Sequence, residues 1–148
     1  MSDDGVGVRL LEGLQDQEPL LPGVDYVDAG TLSFVLLPRI QDCSALLILD
    51  AAQLGGPVGT MQCFTGTAMD EFLRTGRCSV HEVGIRDLLD LARLTGSLPE
   101  RRAFIGIQPG ETGWGERLSA GVAAALEPAI LAARKLIEEW LPRPAPSA

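Results

Sequence analysis

The sequence is poor in the groups that most often identify a function. It has one histidine, His81, and one lysine, Lys135, among 148 residues, and its 20 acids outweigh its 12 basic residues to give a formal charge of -8. Nucleic acids and anionic membrane surfaces demand clustered Lys and Arg, so this balance argues against both as partners. The three cysteines, Cys43, Cys63 and Cys78, are odd in number, far apart and form no C-x-x-C pair. That spacing suggests neither a disulfide framework nor a structural zinc site, and a reducing cytoplasm is the expected compartment. No apolar run approaches the roughly 20 residues of a membrane span, and the opening MSDDGVG has neither the basic start nor the apolar core of a signal peptide. With one histidine, a Ser or Cys nucleophile has no second conventional base to share, which argues against covalent catalysis.

What is present is an alternation of strand and helix. Val6 to about Gln15 has helical spacing after the polar turn Asp3-Asp4-Gly5, and either acid could serve as an N-cap. Val24-Asp25-Tyr26-Val27-Asp28 alternates like a strand, and a second helix is expected from Thr31, with Pro38 ending or kinking it early. ALLIL, residues 45–49, reads as a buried parallel strand closed by Asp50. The glycine- and proline-rich stretch Gln53 to Thr60 is a loop, Met61 to Thr65 a short strand, and Gly66 to Arg77 irregular. AFIGI, residues 103–107, is a further buried strand, followed by a Gly-rich loop and a last helix from about Ser119 to Leu141 that Pro128 kinks or divides. No repeat or domain boundary interrupts residues 1–141, and 142–148 form a tail of turn formers. The expected fold is one α/β domain, a three-layer α/β/α sandwich with a largely parallel sheet.

The segment CSVHEVGIRDLLDLARLTG, Cys78 to Gly96, carries the strongest helix signals. Ser79 and Glu82 have capping-box spacing and Gly96 suits a C-terminal cap. His81, Ile85, Leu88, Leu89 and Ala92 then share one face, which puts the imidazole inward or along a cleft. The partial positive charge of a helix N-terminus favours the neutral, metal-ligating form of a histidine there. The same position also suits a hydrogen-bonded packing residue. In open α/β sheets the functional loops leave the C-terminal ends of strands, so Asp50 and Asp28, each directly after an apolar strand, carry weight. Two carboxylates and an imidazole at one edge suit a divalent transition metal with open positions, although each acid could equally cap a helix or end a strand.

Taken together and in order, Asp3-Asp4-Gly5-Val6-Gly7, Asp28-Ala29-Gly30-Thr31, Leu47-Ile48-Leu49-Asp50-Ala51, Ser79-Val80-His81-Glu82, Ile105-Gly106-Ile107-Gln108-Pro109 and the Leu118-Ser119 helix start resemble the hydrogenase maturation proteases. The resemblance implies an endopeptidase that removes the C-terminal extension of a nickel-iron hydrogenase large subunit once nickel has been inserted. It implies Asp4, Asp50 and His81 as the metal-contacting residues. Asp28, in the family's D-x-G-T motif, would lie beside the site and serve specificity or chemistry, and Asp50 is counted as catalytic with it. The nickel is expected to arrive with the substrate, the large-subunit precursor, and the enzyme is expected to be a cytoplasmic monomer. Family members carry an apolar strand and a G-x-G-N-type turn before D-[DE]-G, whereas this sequence opens at Met1. The expectation is therefore a sheet without that strand, and an upstream coding sequence that reads in frame as one. Two rivals make different demands. A phosphoacceptor signalling domain needs a lysine after a late strand, where this chain has Gln108-Pro109, and a noncatalytic chaperone would bind the large subunit without shortening it.

Overall fold

The computed structural model describes residues 5–28, 33–75, 82–110 and 117–142. Helix α1, Val6–Gln15, buries Val6, Leu10 and Leu14, one residue per turn on one stripe. The last and longest helix, α5, Ala120–Trp140, buries Val122, Ala125, Ala129, Ala133 and Ile137. Its stripe is mostly alanine, which lets its axis lie close to α1 and the sheet. Pro128 sits inside this single helix without dividing it. The N–H that proline lacks would have served the carbonyl of Ala124, which lies on the exposed face where water can replace it.

Three strands form the sheet: β1 Ala45–Ala51, β2 Met61–Thr65 and β3 Arg101–Ile107, in the order β1-β3-β2. β1 and β3 are parallel over seven pairs from Ala45 with Arg101 to Ala51 with Ile107, and β2 runs antiparallel to β3 from Met61 opposite Ile107 to Thr65 opposite Ala103. Side-chain alternation divides the core. Leu47, Leu49, Ala51, Ile105 and Ile107 face α1 and α5. Leu46, Ile48, Phe64 and Phe104 face the other layer. That layer comprises α2 Leu37–Asp42, α3 Gly66–Arg74 and α4 Glu82–Leu94, so the three-layer arrangement is as expected. Phe72 of α3 stacks on Phe64 at 4.2 Å between centroids and tilts against Phe104 at 5.5 Å, fastening α3 to both β2 and β3.

Several local expectations need correction. Val24–Asp28 forms no strand: Val24 and Tyr26 do face the α1–α5 core, which produces the alternation, but no strand pairs with this segment among the described residues. Pro38 begins a helix instead of ending one. A 3-10 turn, Ser33–Leu36, leads into α2, and Pro38 occupies its first turn, where the missing N–H has no partner to lose. Gly66 to Arg77 is not irregular throughout, because α3 occupies Gly66–Arg74 and buries Met69, Phe72 and Leu73 at helical spacing. Gly66 supplies the positive φ, 56°, of the strand-to-helix turn. The expected cap at Gly96 is present as a Schellman closure: Ser97 N–H donates to the Ala92 carbonyl at 2.8 Å and Gly96 N–H to that of Arg93 at 3.1 Å, with Gly96 at φ 71°. Ser79 and His81, at the other end, lie outside the described residues.

The outer edge of β1 has no strand beside it among the described residues, and its ALLIL run is accordingly only half-buried, whereas Ala103 to Ile107 of β3 are fully buried. The first turn of α1 packs directly on β1. A Cβ added at Gly7 would stand 2.5 Å from the Leu49 carbonyl oxygen and 3.5 Å from the Asp50 Cα, both backbone atoms with little room to yield. Gly7→Ala tests this approach because the two effects have opposite signs. Helix propensity alone would stabilise by about 0.5–1 kcal/mol, while the collision should cost about 1–3 kcal/mol. We expect a lower urea midpoint for Gly7→Ala, and a raised midpoint would show that α1 does not press on β1.

Candidate functional site

Two features meet at the C-terminal end of β1. Asp50 lies in the strand's penultimate position, half-buried and opposite Gly106 of β3, with the side-chain parity of Leu46 and Ile48 that directs it toward the α2–α4 layer. Its Oδ1 accepts the Ala51 N–H at 2.8 Å, which fixes the carboxylate against its own strand end. α1 begins beside the same point, since Gly7 abuts Leu49 and Asp50. Asp4 itself is outside the described residues, two positions before the start of α1 in the sequence. His81 is also outside them, immediately before α4, whose Leu88, Leu89 and Ala92 are buried against the Asp50 side of the sheet. Asp28 is described and exposed, at the end of segment 24–28, which forms neither helix nor strand. Among the described residues no three His, Cys, Asp or Glu side chains converge closely enough to hold a metal ion. Of the expected metal-contacting residues the described set contains Asp50, and of the expected catalytic pair it contains both Asp28 and Asp50.

The loop after β1 is held from below by Gln108, the one buried polar side chain of the described core and a residue to which the sequence reading assigned no role. Its Oε1 accepts the Leu54 N–H at 2.6 Å, and its Nε2 donates to Gln53 Oε1 at 2.8 Å and to the Pro109 carbonyl at 3.3 Å. The signals in the sequence were an amide directly after an apolar strand and its place in the Ile105-Gly106-Ile107-Gln108-Pro109 motif.

The described thiols offer no activated nucleophile. Burial pushes both Cys43 and Cys63 above the ordinary thiol range, opposite to the shift a reactive cysteine requires. A small cavity of about 100 Å³ lies between α3 and α4, lined by Asp70, Leu73, Arg74, Arg86, Leu89, Asp90 and Arg93. It includes none of the candidate site residues, and its charges are structural. Asp70 accepts two bonds from Arg102, from Nε at 3.0 Å and Nη2 at 2.7 Å, and lies 3.4 Å from Arg93 Nη2. This group ties α3, the start of β3 and α4 together.

Residues 8–136 match the family model described as hydrogenase maturation protease, HycI, which makes this chain a member of a class of peptidases. It is 37% identical over 146 residues to the hydrogenase expression/formation protein HoxM of Cupriavidus necator, an alignment that covers 98% of this chain and 72% of HoxM. It is 30% identical to the hydrogenase 2 maturation protease of Escherichia coli, covering 98% of this chain and 91% of that protein. The solved structure of the E. coli hydrogenase maturating endopeptidase HybD superposes with a TM-score of 0.87 at 28% identity, over 95% of this chain and 86% of HybD. A [NiFe] hydrogenase maturation protease HybD from Thermococcus kodakarensis gives a TM-score of 0.76 at 29% identity, covering 92% and 90%. The chain belongs to the hydrogenase maturation protease family, as the sequence motifs indicated. No helix among the described residues is long and apolar enough to cross a membrane.

The Asp70 group sets an expectation for acid. Hydrogen bonding from Arg102 first, aided by the nearby arginine charges and opposed by burial, holds the Asp70 carboxyl below its ordinary value. A carboxyl lowered in the folded state contributes stability that is present above its unfolded pKa, roughly 4, and is lost as pH falls through the folded value. Asp70→Asn should therefore narrow its stability deficit relative to the parent protein as pH drops from about 4 toward 2. Urea midpoints measured across that range check this, and two profiles that stay parallel would show that Asp70 does not contribute in this way.

Proposed function

We propose that this chain is an endopeptidase that removes the C-terminal extension of the nickel-iron hydrogenase large-subunit precursor after nickel insertion. Asp4, Asp50 and His81 contact the nickel that the precursor carries, and Asp28 stands beside them for specificity or chemistry. The observation that supports this most directly is the approach of Gly7 to Leu49 and Asp50, which brings the first turn of α1 to the end of β1 that carries Asp50. Membership of the protease family, and relatives named for hydrogenase maturation, support the substrate assignment.

The chemistry follows from the donor types. Carboxylates and a neutral imidazole form an incomplete coordination shell that a substrate-borne divalent ion can complete, and such an ion would polarise the scissile carbonyl as a Lewis acid. Asp50 is held against its own strand end by the Ala51 N–H, so one of its oxygens is oriented before substrate arrives. Recognition by the ion itself would make processing wait for nickel insertion.

Incubation with nickel-loaded and nickel-free precursor tests the proposal. Only the loaded form should yield a shortened large subunit. His81→Ala and Asp50→Asn should each slow cleavage by about 100-fold or more, the scale of losing a general base or charge-stabilising group, with the far-UV spectrum unchanged. Binding of the precursor without shortening would point to a chaperone, and full activity of Asp50→Asn would remove Asp50 from the site.

A further inference from the structure

Gln108 makes more bonds than closing a strand requires. Its backbone N–H donates to the Thr60 carbonyl at 2.8 Å and its carbonyl accepts from Gly59 N–H at 2.9 Å, so the main chain binds the far end of the 53–60 loop. Its side chain binds the near end, through Leu54 N–H and Gln53 Oε1. One residue of β3's exit thus clamps both ends of the loop that leaves Asp50, while most of the loop between them is exposed. The loop is also seated on α5. Gly59 and Gly121 approach so closely that a Cβ on either would collide with the other segment's backbone. A loop with three glycines and a proline has little intrinsic order. It gains its shape from this clamp and from the α5 seat.

We propose that Gln108 is a positioning residue for the peptidase site: its side-chain amide holds the 53–60 loop at a fixed height beside Asp50, so that the loop forms the rim against which the substrate segment is aligned. This rests on the reading under Proposed function for what the rim aligns, but the clamp itself can be tested apart from it. The amide is suited to the task because it accepts at one atom and donates at the other. The Leu54 N–H needs an acceptor, whereas Gln53 Oε1 and the Pro109 carbonyl need a donor. A carboxylate at position 108 would satisfy the first and oppose the other two. When protonated, it could again both accept and donate.

The test uses Gln108→Ala and Gln108→Glu in the full chain, with two measurements. Hydrogen-exchange protection of the Leu54 amide should fall at least about tenfold in Gln108→Ala while that of Ile105, in the middle of β3, is retained. Cleavage of nickel-loaded precursor should then fall about tenfold or more in kcat, the scale of losing a group that orients a site, with KM changed less than about twofold. Gln108→Glu should show the same defects at pH 8 and recover toward the parent protein as pH is lowered, in both Leu54 protection and relative kcat. A merely structural role would not give that recovery. If Gln108→Ala fails to fold, Gln108→Glu carries the test alone. Unchanged Leu54 protection in both variants overturns the clamp, and lost protection with unchanged kcat overturns its positioning role. A parent protein that leaves the precursor uncut defeats the function reading, and Leu54 protection still decides the clamp.

Discussion

The structure depends on keeping β3 dry on both faces. Ala103, Phe104, Ile105 and Ile107 have no exposed surface, and each sends its side chain into a different layer from its neighbour. A two-residue alternation can satisfy both layers only if each is covered by helices for the whole length of the strand. That requirement recruits α1 and α5 above and α3 and α4 below. It also explains why two charged residues, Arg101 and Arg102, are placed at the strand's entry, where Arg101 reaches the Trp140 carbonyl and Arg102 reaches Asp70. Polar bonding resumes at the exit with Gln108. The middle strand is thus a dry rod with a hydrogen-bonding fitting at each end.

This arrangement gives the two ends of the sheet different physical characters. The entry end is fastened by ion pairs between helices and strand, which stabilise but do not react. At the exit end, β1 and β3 terminate side by side, Ala52 N–H donates to the Ile107 carbonyl, and α1 and α5 begin at the same edge. Helix N-termini present unpaired N–H groups and partial positive charge. Two helix N-termini therefore lie at the end of the sheet where β1 and β3 stop.

The parts of this design that could be read from sequence were those encoded in continuous patterns. ALLIL and AFIGI announce strands because continuous apolar runs leave no polar alternation, although only AFIGI is fully buried, and Gly96 announces a helix end because the left-handed conformation suits glycine. The family motifs located Asp50 correctly at a strand end. What failed depended on partners. VDYVD has the alternation of a strand because Val24 and Tyr26 do pack inward, yet pairing belongs to the neighbour as much as to the segment. α3 was hidden by its Gly-Thr opening and short length, although Met69, Phe72 and Leu73 carry its period. Pro38 was read as a terminator because the rule depends on where the helix starts. Gln108 attracted no role because a neutral amide does not titrate, and its importance lies in geometry that only the folded loop creates.

The half-covered edge of β1 has one more consequence, and it concerns solubility. No strand pairs with that edge among the described residues, and a strand edge left uncovered beside five successive apolar residues is a template on which another chain can build. The only charge within β1 is Asp50. A charge there would oppose edge-to-edge association, so the carboxylate proposed for the site would tie chemistry and colloidal behaviour to one side chain. Selection for solubility and selection for activity would both retain the acid, and a survey of tolerated substitutions at position 50 would confound the two unless soluble yield and turnover were scored separately.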